Sequence, residues 1–211
     1  VFKDCLLILL LTVGLQSSIF GQQVSNLSNG VLGFWRQNSS DKILLNEWTA
    51  QWIWLPSSIQ SDVMLARKSF DLKEVPKKTR LRISATSKYE LYINESYVCQ
   101  GPARTAPHHQ SFDVLDVSSL LKTGKNNIAI RVHYQKGTLS YHLKGRGGLL
   151  VQLDLEEETK PKLISDTTWK VFPDLSWDNN SDPISRFQLV VNDRINFNKS
   201  IKDFNTISFD D

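Results

Sequence analysis

The chain has little sulfur: two cysteines, Cys5 and Cys99, and one methionine among 211 residues. Cys5 falls in an N-terminal segment expected to be removed, which leaves one thiol and excludes a disulfide-stapled scaffold. Cys99 reads as a small buried strand residue rather than a nucleophile, because catalysis needs an activated thiolate and no partner for one is identifiable. Histidine is scarce too. His108, His109, His133 and His142 show neither i, i+4 helical spacing nor an HExxH pattern, so no histidine metal site is assigned. Charge of one sign is lacking: the formal net charge of +3 is spread without a block of like charges, which leaves no electrostatic case for nucleic acid. No segment of helical period is long, and no apolar run approaches the ~20 residues of a membrane-spanning helix.

What is present is enough for a core. With 40% hydrophobic and 22% charged residues the chain is not disordered by composition, and its length suits one main domain. The opening VFKDCLLILLLTVGLQSSIFGQQ sets Lys3 before an apolar run from Cys5 to Val13, then small and polar residues up to Gly21. That is signal-peptide order, with cleavage expected near Gly21 and Gln22 and a secreted or periplasmic mature chain without a membrane span. A membrane anchor is the alternative, for which the run is short. The start at Val1 suggests an alternative start codon or a truncated record. Residues 23–46, rich in Ser, Asn and Gln, read as a linker or lead-in.

From there the period is two. Leu81, Ile83 and Ala85 alternate with Arg80, Arg82 and Ser84, and Ile128, Ile130 and Val132 alternate with Ala129, Arg131 and His133. KYELYIN and YVCQG, separated by Asn94, Glu95 and Ser96, form a hairpin; LARKSFDL, FDVLDV, LLVQLDL and TWKVF add strands. The only short helical or 3₁₀ candidate is VSSLLKTGKN, stopped by Gly124. Strands at this spacing, broken by Gly, Pro and Asn, predict an all-β, antiparallel β-sandwich, with a jelly roll as the favoured version.

The order RKSFDL, RLRISATSKYELYINESYVCQGPAR, FDVLDVSSLLKTGKNNIAIRVHY, GGLLVQLDL and ISDTTWKV resembles the N-terminal β-sandwich of bacterial α-L-rhamnosidases. More distantly it is similar to the galactose-binding-like jelly rolls that precede catalytic modules in other glycoside hydrolases. The resemblance covers about Trp48 to Phe172. One departure is the hairpin turn: where the family usually has Asn-Gly, this chain has Asn94-Glu95-Ser96, so a longer loop is expected than a two-residue type I′ turn. The other is the absence of the family's helical barrel, which by resemblance carries the catalytic acid and base. The expected organisation is a signal peptide over 1–22, a lead-in over 23–46, the sandwich over 47–205 and, in FNTISFDD, the start of a truncated following module over 206–211. The chain is expected to be cut, or naturally short, before any catalytic module.

Glycoside hydrolysis needs two carboxyl groups facing across one bond. Asp113 and Asp116, three apart on a strand, point to opposite faces, and Glu156 to Glu158 read as a solvated turn, so no catalytic residue is assigned. No cofactor is expected; a structural calcium in DLSWDNNSD, on Asp178, Asn179, Asn180 and Asp182, is left open beside the reading of a polar loop. The stretch GPARTAPHHQ joins two strands. Gln100, Arg104, His108 and His109 supply planar hydrogen-bonding groups for a sugar, and Trp52 or Tyr134 an aromatic floor. The alternatives are that Arg104 and a histidine only satisfy loop backbone, or that the loop faces a catalytic module. The resemblance implies a noncatalytic N-terminal domain of a secreted α-L-rhamnosidase-like glycoside hydrolase, with a rhamnose-containing polysaccharide or oligosaccharide and the downstream catalytic module as partners. An independent carbohydrate-binding or surface protein is the rival, and a structural spacer the third.

Overall fold

The computed structural model describes residues 48–104, 110–135, 146–156, 158–178 and 193–209. The expected signal peptide and lead-in, His108, His109, His142 and the tract from Asn179 to Asp182 lie outside the described residues. Among the described residues nine strands follow one another: β1 (Val63–Leu72), β2 (Thr79–Ala85), β3 (Lys88–Ile93), β4 (Ser96–Gly101), β5 (Asp113–Asp116), β6 (Gly124–His133), β7 (Leu149–Leu155), β8 (Leu163–Ile164) and β9 (Lys170–Pro173). They form a five-stranded front sheet in the order β4-β3-β6-β1-β9 and a four-stranded back sheet in the order β5-β2-β7-β8. Every pairing is antiparallel. The all-β, two-sheet sandwich read from the period-two pattern is therefore the fold. The described helical residues are two short 3₁₀ turns, Ser118–Leu120 and Phe197–Lys199, the first inside the predicted VSSLLKTGKN segment. Among the described residues no helix is long and apolar enough to cross a membrane.

Alternation decides which side chains enter the core. Met64, Ala66, Tyr89, Leu91, Ile93, Ile128, Ile130 and Val132 of the front sheet are buried, as are Leu81, Ile83, Leu115, Val151 and Leu153 of the back sheet. Each fully buried aliphatic side chain contributes about 1.5–3 kcal/mol by leaving water. Register is thereby pinned, because a slip by one residue would turn each apolar set outward.

The β3–β4 hairpin departs from expectation. Ile93 pairs with Ser96, so the turn has two residues, Asn94 and Glu95, with φ of 47° and 74°. Both are left-handed, as a type I′ turn requires. The longer loop expected from the missing glycine does not form, because tertiary bonds hold the turn. Asn94 Nδ2 donates to Leu120 O and Asn126 Oδ1, each at 2.8 Å, and Asn94 Oδ1 accepts the Asn127 N–H at 3.0 Å. The Glu95 carbonyl accepts from Asn205 Nδ2 at 3.1 Å.

The outward face of each sheet is also covered. On the back sheet, the segment starting at Trp48 runs along β7 and β8: Gln51 donates its N–H to Ser165 O at 2.8 Å, and Ile53 bridges Leu149. The Arg82 guanidinium lies 4.5 Å from the Trp48 ring centroid and binds Asp154 Oδ2 through Nε at 3.0 Å and Nη2 at 2.8 Å. On the front sheet the cover is a C-terminal strap, residues 201–209. Phe204 joins Leu65 and Ala129 in a buried cluster, with Tyr92, Phe172, Ile201 and Phe209 packed against it. Arg67, only 1% exposed, donates to Phe204 O and Thr206 O, each at 3.2 Å, and its guanidinium lies 4.7 Å from the Phe209 ring centroid.

Candidate functional site

Two regions carry candidate chemistry. The first is the end of the sandwich where the β2–β3, β4–β5 and β6–β7 connections meet. Gln110 Nε2 donates to Ala85 O at 2.7 Å, Ser84 Oγ to Ser111 O at 2.6 Å, and Thr86 N–H to Gly148 O at 3.1 Å. Gly147 and Gly148 allow indoles to lie on bare backbone, since a Cβ on Gly147 would collide with Trp54 and one on Gly148 would crowd Trp52 and Thr86. Trp52 is 47% exposed, while Trp54 meets Tyr134 edge to face at 6.3 Å. Tyr134 is half-buried, and its N–H donates to Asp62 O at 2.8 Å.

The residues predicted for a sugar site are thus dispersed. Trp52 and Tyr134 both contribute to this aromatic end, Trp52 exposed and Tyr134 bound into the fold. Gln100 is exposed on β4, in register with Glu90 on the outward face of the front sheet. Arg104 is exposed at the start of the β4–β5 connection. His108 and His109 fall outside the described residues.

The second region flanks the front sheet beyond β9. Arg131 Nη1 donates to Glu90 Oε2 at 3.0 Å, and Arg131 Nε lies 3.4 Å from Asp174 Oδ2. Asp174 is fully buried; its Oδ1 accepts the Ser176 N–H at 3.1 Å and the Ser176 hydroxyl at 2.5 Å. These bonds aim the following residues outward. Trp177 packs against His133 with ring centroids 4.7 Å apart. Burial lowers the His133 pKa below its ordinary 6.5, with Lys88 acting in the same direction and Asp193, Asp62 and Glu90 opposing. The arm returns at Asp193: Asp178 donates its N–H to Arg194 O at 2.9 Å, Asn196 donates to Ser176 O at 2.8 Å, and Trp177 faces Ile195 in an antiparallel bridge. An open cleft of about 830 Å³ lies there, bordered by Leu175, Trp177, Asp178, Arg194, Ile195 and Asn196, with Ser176 and Lys199. In the sequence this tract is legible only as a calcium candidate, and its one signal for a cleft is the tryptophan among polar residues.

The carboxylates do not pair for hydrolysis where the sequence raised the question. Asp113 points inward, accepting from the Tyr89 hydroxyl at 2.5 Å, whereas Asp116 points outward to Arg80 Nη1 at 2.7 Å. Burial raises the Asp113 pKa against the opposing Tyr89 bond. Burial also pushes the Cys99 thiol up to about 11, although the Tyr89 hydroxyl opposes it. A thiol held protonated is a poor nucleophile. Among the described residues no three His, Cys, Asp or Glu side chains converge as metal ligands.

The sequence profile of the alpha-L-rhamnosidase N-terminal domain matches residues 74–211. The chain is similar to the GH78 family rhamnosidase of Bacillus sp. GL1, at 29% identity and a TM-score of 0.71 over 77% of this chain and 17% of that one. It is similar to the alpha-L-rhamnosidase from Dictyoglumus thermophilum, at 25% identity and a TM-score of 0.62 over 80% of this chain and 21% of that one. With the native rhamnosidase of Aspergillus terreus the likeness is one of fold, at 22% identity and a TM-score of 0.53 over 71% of this chain and 18% of that one. The chain therefore spans 17% to 21% of the length of these solved enzymes. No curated protein matches it.

Proposed function

This chain belongs to the alpha-L-rhamnosidase N-terminal domain family, and from that premise we propose that it is the noncatalytic β-sandwich of a secreted rhamnosidase-type glycoside hydrolase. The observation that carries the reading is the extent of the likeness: 77% of this chain aligns with 17% of a solved rhamnosidase. The sandwich supports a downstream catalytic module or contacts its carbohydrate, a rhamnose-containing polysaccharide or oligosaccharide. A noncatalytic role is supported by Asp113 and Asp116, which face opposite sides and are each engaged by another side chain. Secretion is supported by the signal-peptide order of residues 1–22. A jelly roll is supported by the way the chain passes repeatedly between the sheets, β1 in the front, β2 in the back, β3 and β4 in the front, β5 in the back and β6 in the front.

The test is an assay of aryl rhamnoside hydrolysis by this 211-residue chain and by the polypeptide that the reading frame encodes if it continues past Asp211. The proposal expects the frame to continue, the extended polypeptide to hydrolyse the substrate and this chain not to. Hydrolysis by this chain alone, or a stop codon directly after Asp211, overturns the reading.

One observation favours a second reading, an independent carbohydrate-binding protein: Trp52 stands 47% exposed at the end of the sandwich beside a loop cluster. Calorimetry against rhamnose, galactose and mixed oligosaccharides, with and without calcium, tests it; absence of heat with every sugar rejects it. The calcium arms also test the proposal of a structural ion near Asp178.

A further inference from the structure

We infer that the outward face of the front sheet is a peptide-recognition surface, held in cis by the strap and able to take the same segment, residues 201–209, from a second copy of this chain. Among the described residues the strap pairs with no strand, so the sheet reads it through side chains rather than by adding it to a ladder. Three successive carbonyls are held from the sheet. Arg67 Nη1 donates to Phe204 O, Asn127 Nδ2 to Asn205 O and Arg67 Nη2 to Thr206 O, each at 3.2 Å. The strap supplies donors in return: Asn205 Nδ2 reaches Glu95 O at 3.1 Å, and the Ile207 N–H reaches Glu95 Oε1 at 3.4 Å. Two rings set the register. Phe204, 6% exposed, meets Tyr92 edge to face at 5.7 Å and has the Arg131 guanidinium 5.4 Å from its centroid. Phe209 meets Phe172 edge to face at 6.1 Å.

The segment carries its own bend. Asp203 is left-handed at φ of 57°, and its carbonyl accepts the Thr206 N–H and the Thr206 hydroxyl, each at 2.9 Å. A turn closed by local bonds needs less ordering when the segment docks. The receiving half is equally self-contained. Leu65, Arg67, Tyr92, Asn127, Ala129 and Phe172 stand on β1, β3, β6 and β9, which the sheet's ladders hold in register. These contacts fit a segment with aromatic rings at the positions of Phe204 and Phe209 and an amide at that of Asn205, and a second copy carries that segment unchanged. Exchange of an identical element between copies needs no new contact surface. Within one chain the resident strap wins by proximity, since a tethered segment acts at an effective concentration of about millimolar.

The experiment weakens the resident strap and supplies another. A fluorescein-labelled peptide of residues 201–209 is titrated into this 211-residue chain and into its Phe204→Ala and Phe209→Ala variants, with anisotropy as the readout and circular dichroism as the check on folding. Phe204→Ala should bind the peptide about tenfold or more tighter than the parent, and Phe209→Ala about threefold or more, because the cis competitor is weakened while the sheet is unchanged. Phe209 is only half-buried, so its variant keeps the test decisive should Phe204→Ala fail to fold. A peptide carrying Phe204→Ala, or a receiving chain that also carries Arg67→Met, should lose about tenfold. In sedimentation, the Phe204→Ala chain mixed with the Arg67→Met chain should give a dimer that neither gives alone, since the first offers the face and the second the strap. The inference is overturned if neither variant binds the peptide more tightly than the parent, if binding ignores both the peptide's Phe204→Ala and the chain's Arg67→Met, or if the mixed chains stay monomeric. Any of these leaves the enzyme-domain reading standing, since the aryl rhamnoside assay decides that separately.

Discussion

The two outward faces of the sandwich solve one problem in different ways. Each buries an arginine under an aromatic ring, Arg82 under Trp48 on the back and Arg67 against Phe209 on the front. Arg82 is matched by a formal charge, Asp154, one strand away in the same sheet. On the front, Arg67 donates to two carbonyls of the strap, Phe204 O and Thr206 O. A buried ion pair is costly to break from one side, because the survivor stays charged and dry. If the strap lifts, Arg67 loses the Phe204 and Thr206 carbonyls together with the Phe209 ring. On the back face the arginine finds its charged partner within its own sheet and its cover in the Trp48 segment, whereas the front face takes carbonyl partners and cover from the C-terminal strap.

The largest expected effect comes from breaking the back pair alone. Asp154→Ala should cost about 3–5 kcal/mol in urea denaturation, whereas Arg82→Met with Asp154→Leu should return close to the parent value. A cost for the single variant below about 1 kcal/mol would show that Arg82 is solvated despite its burial and would erase the contrast. Arg67→Met should cost less, about 2 kcal/mol, because it removes charged donors from the Phe204 and Thr206 carbonyls. Hydrogen exchange sharpens the distinction: amides of residues 201–209 should exchange faster in Arg67→Met and unchanged in Asp154→Ala.

A smaller, pH-dependent effect belongs to the front face. The folded state holds His133 below its ordinary pKa of 6.5, first through burial, so it binds a proton more weakly than the unfolded chain does. The stability this confers is complete above 6.5 and is lost as pH falls through the lowered folded value. Denaturation midpoints should therefore decline on acidification from about pH 7.5 to 5, and His133→Gln should flatten part of that decline. An identical slope in the variant would remove His133 from the account. The smallest effect is a gain. Glu95→Gly relieves a left-handed glutamate at φ of 74° and should add about 0.5–1 kcal/mol. A loss instead would mean that the Glu95 carboxylate, near the Ile207 N–H at 3.4 Å, matters more to the strap than the backbone strain does.

Much of the fold was legible because strand alternation is local. Leu81 with Ile83, and Ile128 with Ile130 and Val132, declare their inward face within a few residues, and the structure buries all five. Asp113 and Asp116 likewise part as their spacing demands. The hairpin turn departs from the expected longer loop because glycine is not the only route to two left-handed residues. Asn94 instead draws on Leu120, Asn126 and Asn127, none of them adjacent in sequence. The site was less legible still. Gln100 and Arg104 share a sequence neighbourhood with the histidines, but pleating sends Gln100 to the front-sheet flank beside Glu90. The Trp177 cleft left little trace, since its walls come from two arms joined by backbone bonds rather than by a motif.

The sequence by itself determined the alternation, hence the two-layer sandwich, and the order of motifs that identifies the family. Only the tertiary structure decided what covers the outward faces and which side chains share a cleft. The physical reason is range. A strand's inward and outward sets follow from a period of two, but Arg67 finds its carbonyl 137 residues away. The Arg194 carbonyl meets the Asp178 amide only after β9 and the buried Asp174 have set the direction of the first arm. Such partners are chosen by packing, and no spacing along the chain announces them.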